Sequence, residues 1–282
     1  MKRIIIVAMD FSEGAINALN FAVMVANAIQ ANIMMVWVDK SKQASTVYSN
    51  ASDPRLEVKK RFESLIEEYS ERFTGGKFLY KMRYGKVFTE ITNQAKYHDA
   101  DLIIAGTHGA SGFDEFWMGS NAYKIVAHAV CPVLTLRAFD GNDRVIKKIL
   151  LPIDSTRETR QKILFTSYLA RHFDAELVIL SVFSSKVDTI ISLVEGYVKQ
   201  AAKYCEDNDI KYSVDSFDAE NITNSTIKYA KENDIDLISI MTDQESSPMN
   251  LFLGPYAQQM VNHSPIPVLS IRSKNIYDYK MK

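Results

Sequence analysis

The chain repeats itself after about half its length, and this repeat constrains the fold more than any other feature. Residues 147–153 form an apolar run that ends before Asp154, and they copy the opening of the chain, where a similar run ends before Asp10. Residues 236–241 copy residues 101–106. The first pair of copies lies 144 residues apart and the second 135, so the second copy is nine residues shorter between its first and fourth strands. A chain of 282 residues that holds two such copies predicts two domains of one fold.

Each predicted domain, 1–140 and 145–282, alternates strand patterns with helix patterns. The central strands are continuous apolar runs such as residues 4–8, which is typical of strands buried on both faces of a parallel sheet. The predicted strands are 3–9, 32–38, 77–84, 101–105 and 132–137, then 147–153, 176–182, 210–217, 236–241 and 266–272; the predicted helices of the first half are 13–29, 54–73, 87–98 and 120–129. The sequence therefore predicts an α/β fold with a five-stranded parallel sheet, flanked by helices, in each half.

A glycine-rich segment joins the fourth strand of the first half to its fourth helix. Gly106 ends the apolar run, Gly109 follows after two residues, and Gly119 with Ser120 precedes the helical pattern. Free backbone N–H groups at a helix N-terminus attract anions, and a residue without Cβ lets a phosphate approach the backbone. Ser120 either caps the helix or donates its hydroxyl to a phosphate oxygen. The spacing is neither that of the Walker A loop nor that of the dinucleotide fingerprint.

This spacing resembles the nucleotide-binding signature of the universal stress protein family, and the opening run with its carboxyl-end Asp10 resembles the family's first strand. Ala8 stands where family members usually have proline. The resemblance implies two tandem Rossmann-like domains of the adenine nucleotide alpha hydrolase-like type, and ATP with Mg²⁺ as the ligand. The nucleotide-binding residues that it implies are Ala8, Asp10, Val38, Gly106, Gly109, Gly119, Ser120 and Asn121. The alternative is structural: Asp10 or Ser12 caps the first helix, with Glu13 in its first turn.

The second copy has lost most of this signature. Met241, Gln244 and Pro255 stand where the first copy has Gly106, Gly109 and Ser120, and Gly254 alone keeps its place. The larger side chains fill the space that a phosphate needs, and proline removes a backbone donor. Proline in the first turn of a helix is structurally acceptable, so the fold survives while the anion site is damaged. The sequence therefore predicts one ATP per chain, in the first domain.

The function implied by the resemblance is that of a stress-response protein that binds ATP and acts as a sensor or regulator. Two alternatives stay open, a slow ATPase and an interaction scaffold without a ligand. No catalytic or metal-ligating residue is assigned, because the loop holds no lysine and His108 has no carboxylate partner in the pattern.

Composition excludes several other classes of function. The net charge of −1 offers no basic field for nucleic acid, and two cysteines give no disulfide framework. No apolar run is long enough for a membrane span and no signal peptide is evident, so we expect a cytoplasmic protein. Strands 132–137 and 266–272 are expected to pair within the chain, as family members pair between subunits, because unpaired apolar edges aggregate. A homodimer and an unidentified protein partner stay open.

Overall fold

The structure, a computed structural model, describes residues 2–40, 54–107, 119–137, 145–219, 221–242 and 253–273. His108, Gly109 and Gln244 of the sequence analysis lie outside these ranges. The strands within them are β1 (Ile4–Ala8), β2 (Asn32–Asp39), β3 (Phe78–Tyr84), β4 (Leu102–Gly106), β5 (Val133–Leu136), β6 (Lys148–Ile153), β7 (Glu176–Phe183), β8 (Tyr212–Asp218), β9 (Leu237–Met241) and β10 (Val268–Ile271). The helices are α1 (Glu13–Ile29), α2 (Pro54–Tyr69), α3 (Val87–Tyr97), α4 (Ser120–His128), α5 (Ile163–Phe173), α6 (Asp188–Asp207), α7 (Ile222–Glu232) and α8 (Pro255–His263).

All ten strands belong to one sheet, in the order β3-β2-β1-β4-β5-β10-β9-β6-β7-β8. The strands of each half are parallel, which confirms the predicted α/β fold. In the first half the chain order reverses between β1 and β4, and a crevice opens at the carboxyl ends of strands where such a reversal occurs. The domain bounds 1–140 and 145–282 stay a prediction, because residues 138–144 lie outside the described ranges.

The two halves are joined by their last strands, as predicted. β5 and β10 pair antiparallel, with Leu134 opposite Leu269, and both side chains are fully buried. The Arg272 guanidinium donates a 2.6 Å hydrogen bond to the carbonyl oxygen of Ala127 in the other half. The junction thus closes two sheet edges that would otherwise expose unpaired backbone groups.

Helices cover both faces of the sheet, which explains why the central strands are mostly apolar. Residues 5 and 7 of β1 pack with α1, α2, α5 and α6, whereas residue 6 packs with α3, α4, α7 and α8. Successive side chains of a strand point to opposite faces, so a strand covered on both faces has no side chain that faces solvent. In the described part of the chain, no helix has both the length and the apolarity needed to cross a membrane.

Truncation of the junction is expected to destabilise the whole chain. Leu269→Ala should lower the free energy of unfolding by about 2–5 kcal/mol, because it leaves a cavity between two fully buried strands. Urea unfolding followed by circular dichroism measures this. The matched control is Val214→Ala on the edge strand β8, where the side chain is half exposed, with an expected loss below about 1 kcal/mol. Similar losses in the two variants would contradict a continuous core across the junction.

Candidate functional site

A crevice lies at the carboxyl ends of β1 and β4, where the strand order of the first half reverses. It has a volume of about 170 Å³. The structure brings together seven of the eight residues predicted from sequence, and the eighth, Gly109, lies outside the described ranges. The seven that line the crevice are Ala8, Asp10, Val38, Gly106, Gly119, Ser120 and Asn121.

Asp10 and Ser12 form the turn between β1 and α1. The backbone N–H of Ser12 donates to Asp10 Oδ1 at 3.0 Å, and the Ser12 hydroxyl donates to the same oxygen. Ser12 Oγ in turn accepts the N–H of Ala15 at 3.3 Å, so Ser12 is the N-cap of α1, as one of the two sequence interpretations had it. Phe11 adopts a positive φ of 61°, which turns the chain sharply between strand and helix. Asp10 therefore holds the turn and lines the exposed mouth of the crevice.

Gly106 lacks a side chain because α1 passes directly over it. A Cβ at this position would lie 2.6 Å from the carbonyl oxygen of Gly14, and real Cβ contacts are not that short. The two glycines therefore let the first turn of α1 pack against the end of β4. This close packing places the β1–α1 turn beside the β4 end, and the two together form the floor of the crevice.

The N-terminus of α4 closes the other side of the crevice. Its N-cap is Gly119, whose N–H donates to the carbonyl oxygen of Thr107 at 2.7 Å, so the idea that Ser120 caps this helix is wrong. Ser120 and Asn121 are instead the first two helical residues. Their N–H groups belong to the turn that has no acceptor inside the helix, and α4 carries no acidic side chain there. The crevice thus faces backbone donors and the positive end of a helix dipole, which suits an anion.

Eleven further lining residues were not predicted from the sequence, and five of them give the crevice its chemical character. Val36, Val87 and Ile91 form an apolar wall, and Lys40 and Thr107 add polar groups. The signal for Val36 was its place two residues before Val38, on the same face of β2, and the signal for Lys40 was its place directly after the last residue of that strand. Lys40 is exposed, and it is the basic side chain among the described lining residues.

The described residues offer no protein site for a resident metal ion. No group of three or more His, Cys, Asp or Glu side chains comes together in the described ranges. Asp10 is the carboxylate among the described residues that line the crevice.

The equivalent crevice of the second half is almost closed, with a volume of about 10 Å³. Asp154 repeats the turn of Asp10, and its Oδ1 accepts the N–H of Thr156 at 2.9 Å. Three side chains, which we call the second-half plug, fill the space: Lys162, Met241 and Tyr256. They stand where the first half has Ala18, Gly106 and Asn121 in the repeat register. The remaining volume is at the lower limit for a single water molecule.

Lys162 is a buried cation in this plug. Its side chain is 3% exposed, and its Nζ donates to Thr159 Oγ1 at 2.9 Å. Burial lowers the pKa of Lys162 to about 8, and the nearby Asp154 carboxylate opposes that shift. The segment before it also differs from the first half, because Arg157–Arg160 forms a 3₁₀ turn where α1 is already regular. The second half therefore fills its crevice with the buried ammonium group of Lys162 and with the side chains of Met241 and Tyr256.

The fold and the first-half crevice define an open parallel α/β protein, and comparison with known proteins gives its family. The sequence profile of the Universal stress protein family matches residues 1–137 and 146–272, so the chain belongs to this family as a tandem member. Universal stress protein YxiE of Bacillus subtilis (strain 168) is 31% identical over 145 residues, which are 47% of this chain and 97% of that protein. A putative universal stress protein of Staphylococcus aureus (strain USA300), SAUSA300_1656, is 34% identical over 138 residues, 47% of this chain and 82% of its own length.

A solved structure shares the arrangement of both halves. The universal stress protein from Archaeoglobus fulgidus DSM 4304 superposes with a TM-score of 0.71, covering 95% of this chain and 96% of that one. Its sequence identity is 15%, so the likeness concerns the fold alone.

Proposed function

We propose that this chain binds one ATP, in the first-half crevice, and acts in the stress response as a nucleotide-dependent sensor or regulator in the cytoplasm. The observation that carries the proposal is the contrast between two equivalent crevices, about 170 Å³ in one half and about 10 Å³ in the other. The open one combines the N-terminus of α4, a place for phosphates, with an apolar wall of Val36, Val87 and Ile91 that suits a base.

The predicted site residues take distinct roles in this proposal. The N–H groups of Ser120 and Asn121, the Ser120 hydroxyl and the backbone at Gly109 would hold the phosphates. Asp10 would contact the nucleoside, with Ala8 and Val38 beside it. Gly106 and Gly119, which lack a Cβ, would let the backbone lie close to the phosphates. Mg²⁺ would supply charge neutralisation between phosphate oxygens. Lys40, exposed at the end of β2, would add a positive charge at the mouth.

A sensor is favoured over an ATPase by the charges at the crevice. Phosphoryl transfer depends on positioned cations and on a group that orients the attacking nucleophile. Among the described lining residues, the charged side chains are Asp10 and Lys40, and Asp10 Oδ1 is already bonded to Ser12. We therefore expect phosphate release from bound ATP to be slow or undetectable.

The test of one ATP per chain uses the full-length protein. A mass spectrum of the denatured sample should contain copurified ATP, and calorimetry of the nucleotide-free protein should give a stoichiometry of one. ADP and AMP serve as competitors and should bind progressively more weakly, since each loses a phosphate from the helix N-terminus. Two equivalent sites per chain would contradict the assignment to the first half. Absence of any nucleotide binding would overturn the proposal and support an interaction scaffold without a ligand.

A further inference from the structure

The ten-stranded sheet ends in two edge strands, β3 and β8, and each of them pairs with a single neighbouring strand in the described part of the chain. Both edges expose apolar side chains. Leu79 and Tyr84 on β3 are 38% and 47% exposed, and Val214 on β8 is 50% exposed. An edge strand presents N–H and C=O groups with which a strand of another molecule can pair. The two edges are therefore places where the sheet can be extended.

The two edge strands carry opposite charges. β3 holds Lys81 and Arg83 and no acidic residue, whereas β8 holds Asp215 and Asp218 and no basic residue. Like charges directly opposite each other on paired strands are destabilising, and opposite charges are stabilising. Pairing of β3 with a second β3, or of β8 with a second β8, is thus disfavoured, while pairing of β3 with β8 is favoured.

Lys81 and Asp215 stand at the centres of the two strands and point to the same face of the sheet. Lys81 lies beside Val36 of β2, and Asp215 lies beside Leu180 of β7. Both neighbours pack in the core on the side of α3, α4, α7 and α8. The exposed Asp215 carboxylate accepts a hydrogen bond from the neutral hydroxyl of Tyr229 at 2.9 Å. No ion pair joins Lys81 or Asp215 to another described residue, so both charges are left for a partner.

The backbone groups that face the two free edges belong to even-numbered residues on both strands. The carbonyl oxygen of Lys77 accepts the N–H of Ile33, and that of Lys211 accepts the N–H of Leu177. Odd-numbered residues of β3 and β8 therefore bond inward, to β2 and β7, and even-numbered residues point outward. In an antiparallel pair, the residues that exchange hydrogen bonds stand directly opposite each other. An even-numbered residue of β3 must then face an even-numbered residue of β8.

We propose that a second copy of this chain adds its β3 to β8 as an antiparallel strand, so that the sheet continues head to tail between chains. The direction follows from the fold, because the strands within each half are parallel and the two halves are antiparallel at β5 and β10. The register that aligns all seven residues of both strands puts Lys81 opposite Asp215 and joins even-numbered residues to even-numbered ones. It also forms two apolar pairs, Leu79 with Phe217 and Met82 with Val214.

Sedimentation velocity of the full-length protein tests this association. Each added copy leaves a free β3 at one end and a free β8 at the other, so open linear oligomers form instead of a closed dimer. The contact of two strand edges is small, so the mean mass should rise steadily between about 10 µM and 1 mM protein. Salt at about 0.5 M should weaken the association, since it screens the ion pair. A mass that stays at one chain or stops at a dimer would overturn the proposal.

Charge reversal tests the pair of Lys81 and Asp215 directly. Lys81→Glu and Asp215→Lys should each weaken association about tenfold, because each puts like charges opposite each other, and the double variant should restore it. The control is Lys199→Glu, the same change at an exposed lysine of α6, which should associate like the parent. Thermal melting checks that the variants are folded. Parental association in both single variants, or no recovery in the folded double variant, would refute the pairing.

Hydrogen exchange followed by NMR gives a second readout that needs no substitution. The N–H groups of Tyr80, Met82 and Val214 face the free edges and should exchange more slowly as the protein concentration rises. Those of Leu79 and Ser213 already bond to β2 and β7, so their exchange rates serve as the internal control. Exchange at the three edge amides that does not depend on concentration would contradict strand addition.

Discussion

The Asn121→Tyr protein is expected to fold like the parent chain and to lose ATP affinity by at least about a hundredfold. Asn121 lines the open crevice, and Tyr256 stands at the equivalent position of α8, where it helps to fill the second-half crevice. The chain itself thus shows that this fold accepts tyrosine at the second residue of the helix. A phenol ring there keeps phosphates from the N–H groups of the first turn, and each lost bond to a charged group costs about 1.5–3 kcal/mol. Calorimetry with ATP measures the loss.

A tyrosine elsewhere on α4 controls for the substitution itself. Lys124 is exposed on the same helix and does not line the crevice, so Lys124→Tyr should bind ATP as the parent does. Thermal melting without nucleotide checks that both variants are folded. If Asn121→Tyr binds ATP with parental affinity while folded, the phosphates do not lie at the start of α4, and the proposed orientation of the nucleotide is wrong.

Lys162→Met is expected to change how the stability of the protein depends on pH. Burial lowers the pKa of Lys162 from 10.5 to about 8. Below pH 8 the lysine carries its proton in both the folded and the unfolded chain. Between pH 8 and 10.5 the unfolded chain still binds the proton that the folded chain has released, so the free energy of unfolding rises with pH. The parent should therefore gain about 3 kcal/mol relative to Lys162→Met across this range.

Urea unfolding of both proteins at pH 7.5 and at pH 10 measures this difference. Tyrosines and cysteines also titrate there, but they are common to the two proteins and cancel in the comparison. Lys203→Met is the control, because Lys203 is exposed on α6 and pairs with Asp207 at the surface. A pH-independent difference between parent and Lys162→Met would mean that the ammonium is not buried in the plug. Methionine keeps the volume of the side chain, so folding should be retained.

Much of the first-half site was predictable because its requirements are local in the sequence. Asp10 lies just after an apolar strand, Gly106 ends another strand, and Gly119 and Ser120 stand at the start of a helix. These positions fix backbone shape, and backbone shape follows from neighbouring residues. The physical reason for Gly106 was nevertheless not predictable. It lies in the contact with Gly14, 92 positions earlier in the chain, which only the packing of α1 on β4 reveals.

Only part of the second-half plug could be predicted from the sequence. The loss of the glycine signature at Met241 and Pro255 was visible, and it predicted a damaged anion site. The entry of Lys162 into the vacated space was not visible, because a lysine on a helix is ordinarily exposed. Its burial depends on the 3₁₀ turn before α5 and on side chains from β9 and α8 that meet it in space.

The sequence by itself determined that this chain is a tandem α/β protein with strands covered on both faces, since periodicity and repetition are properties of neighbouring residues. It also determined which half keeps the glycine spacing. Only the tertiary structure decided the register in which β5 and β10 pair, and that one crevice is open and the other filled. The strand register and the crevice volumes arise where side chains from distant segments meet, and no local pattern encodes which side chains will meet.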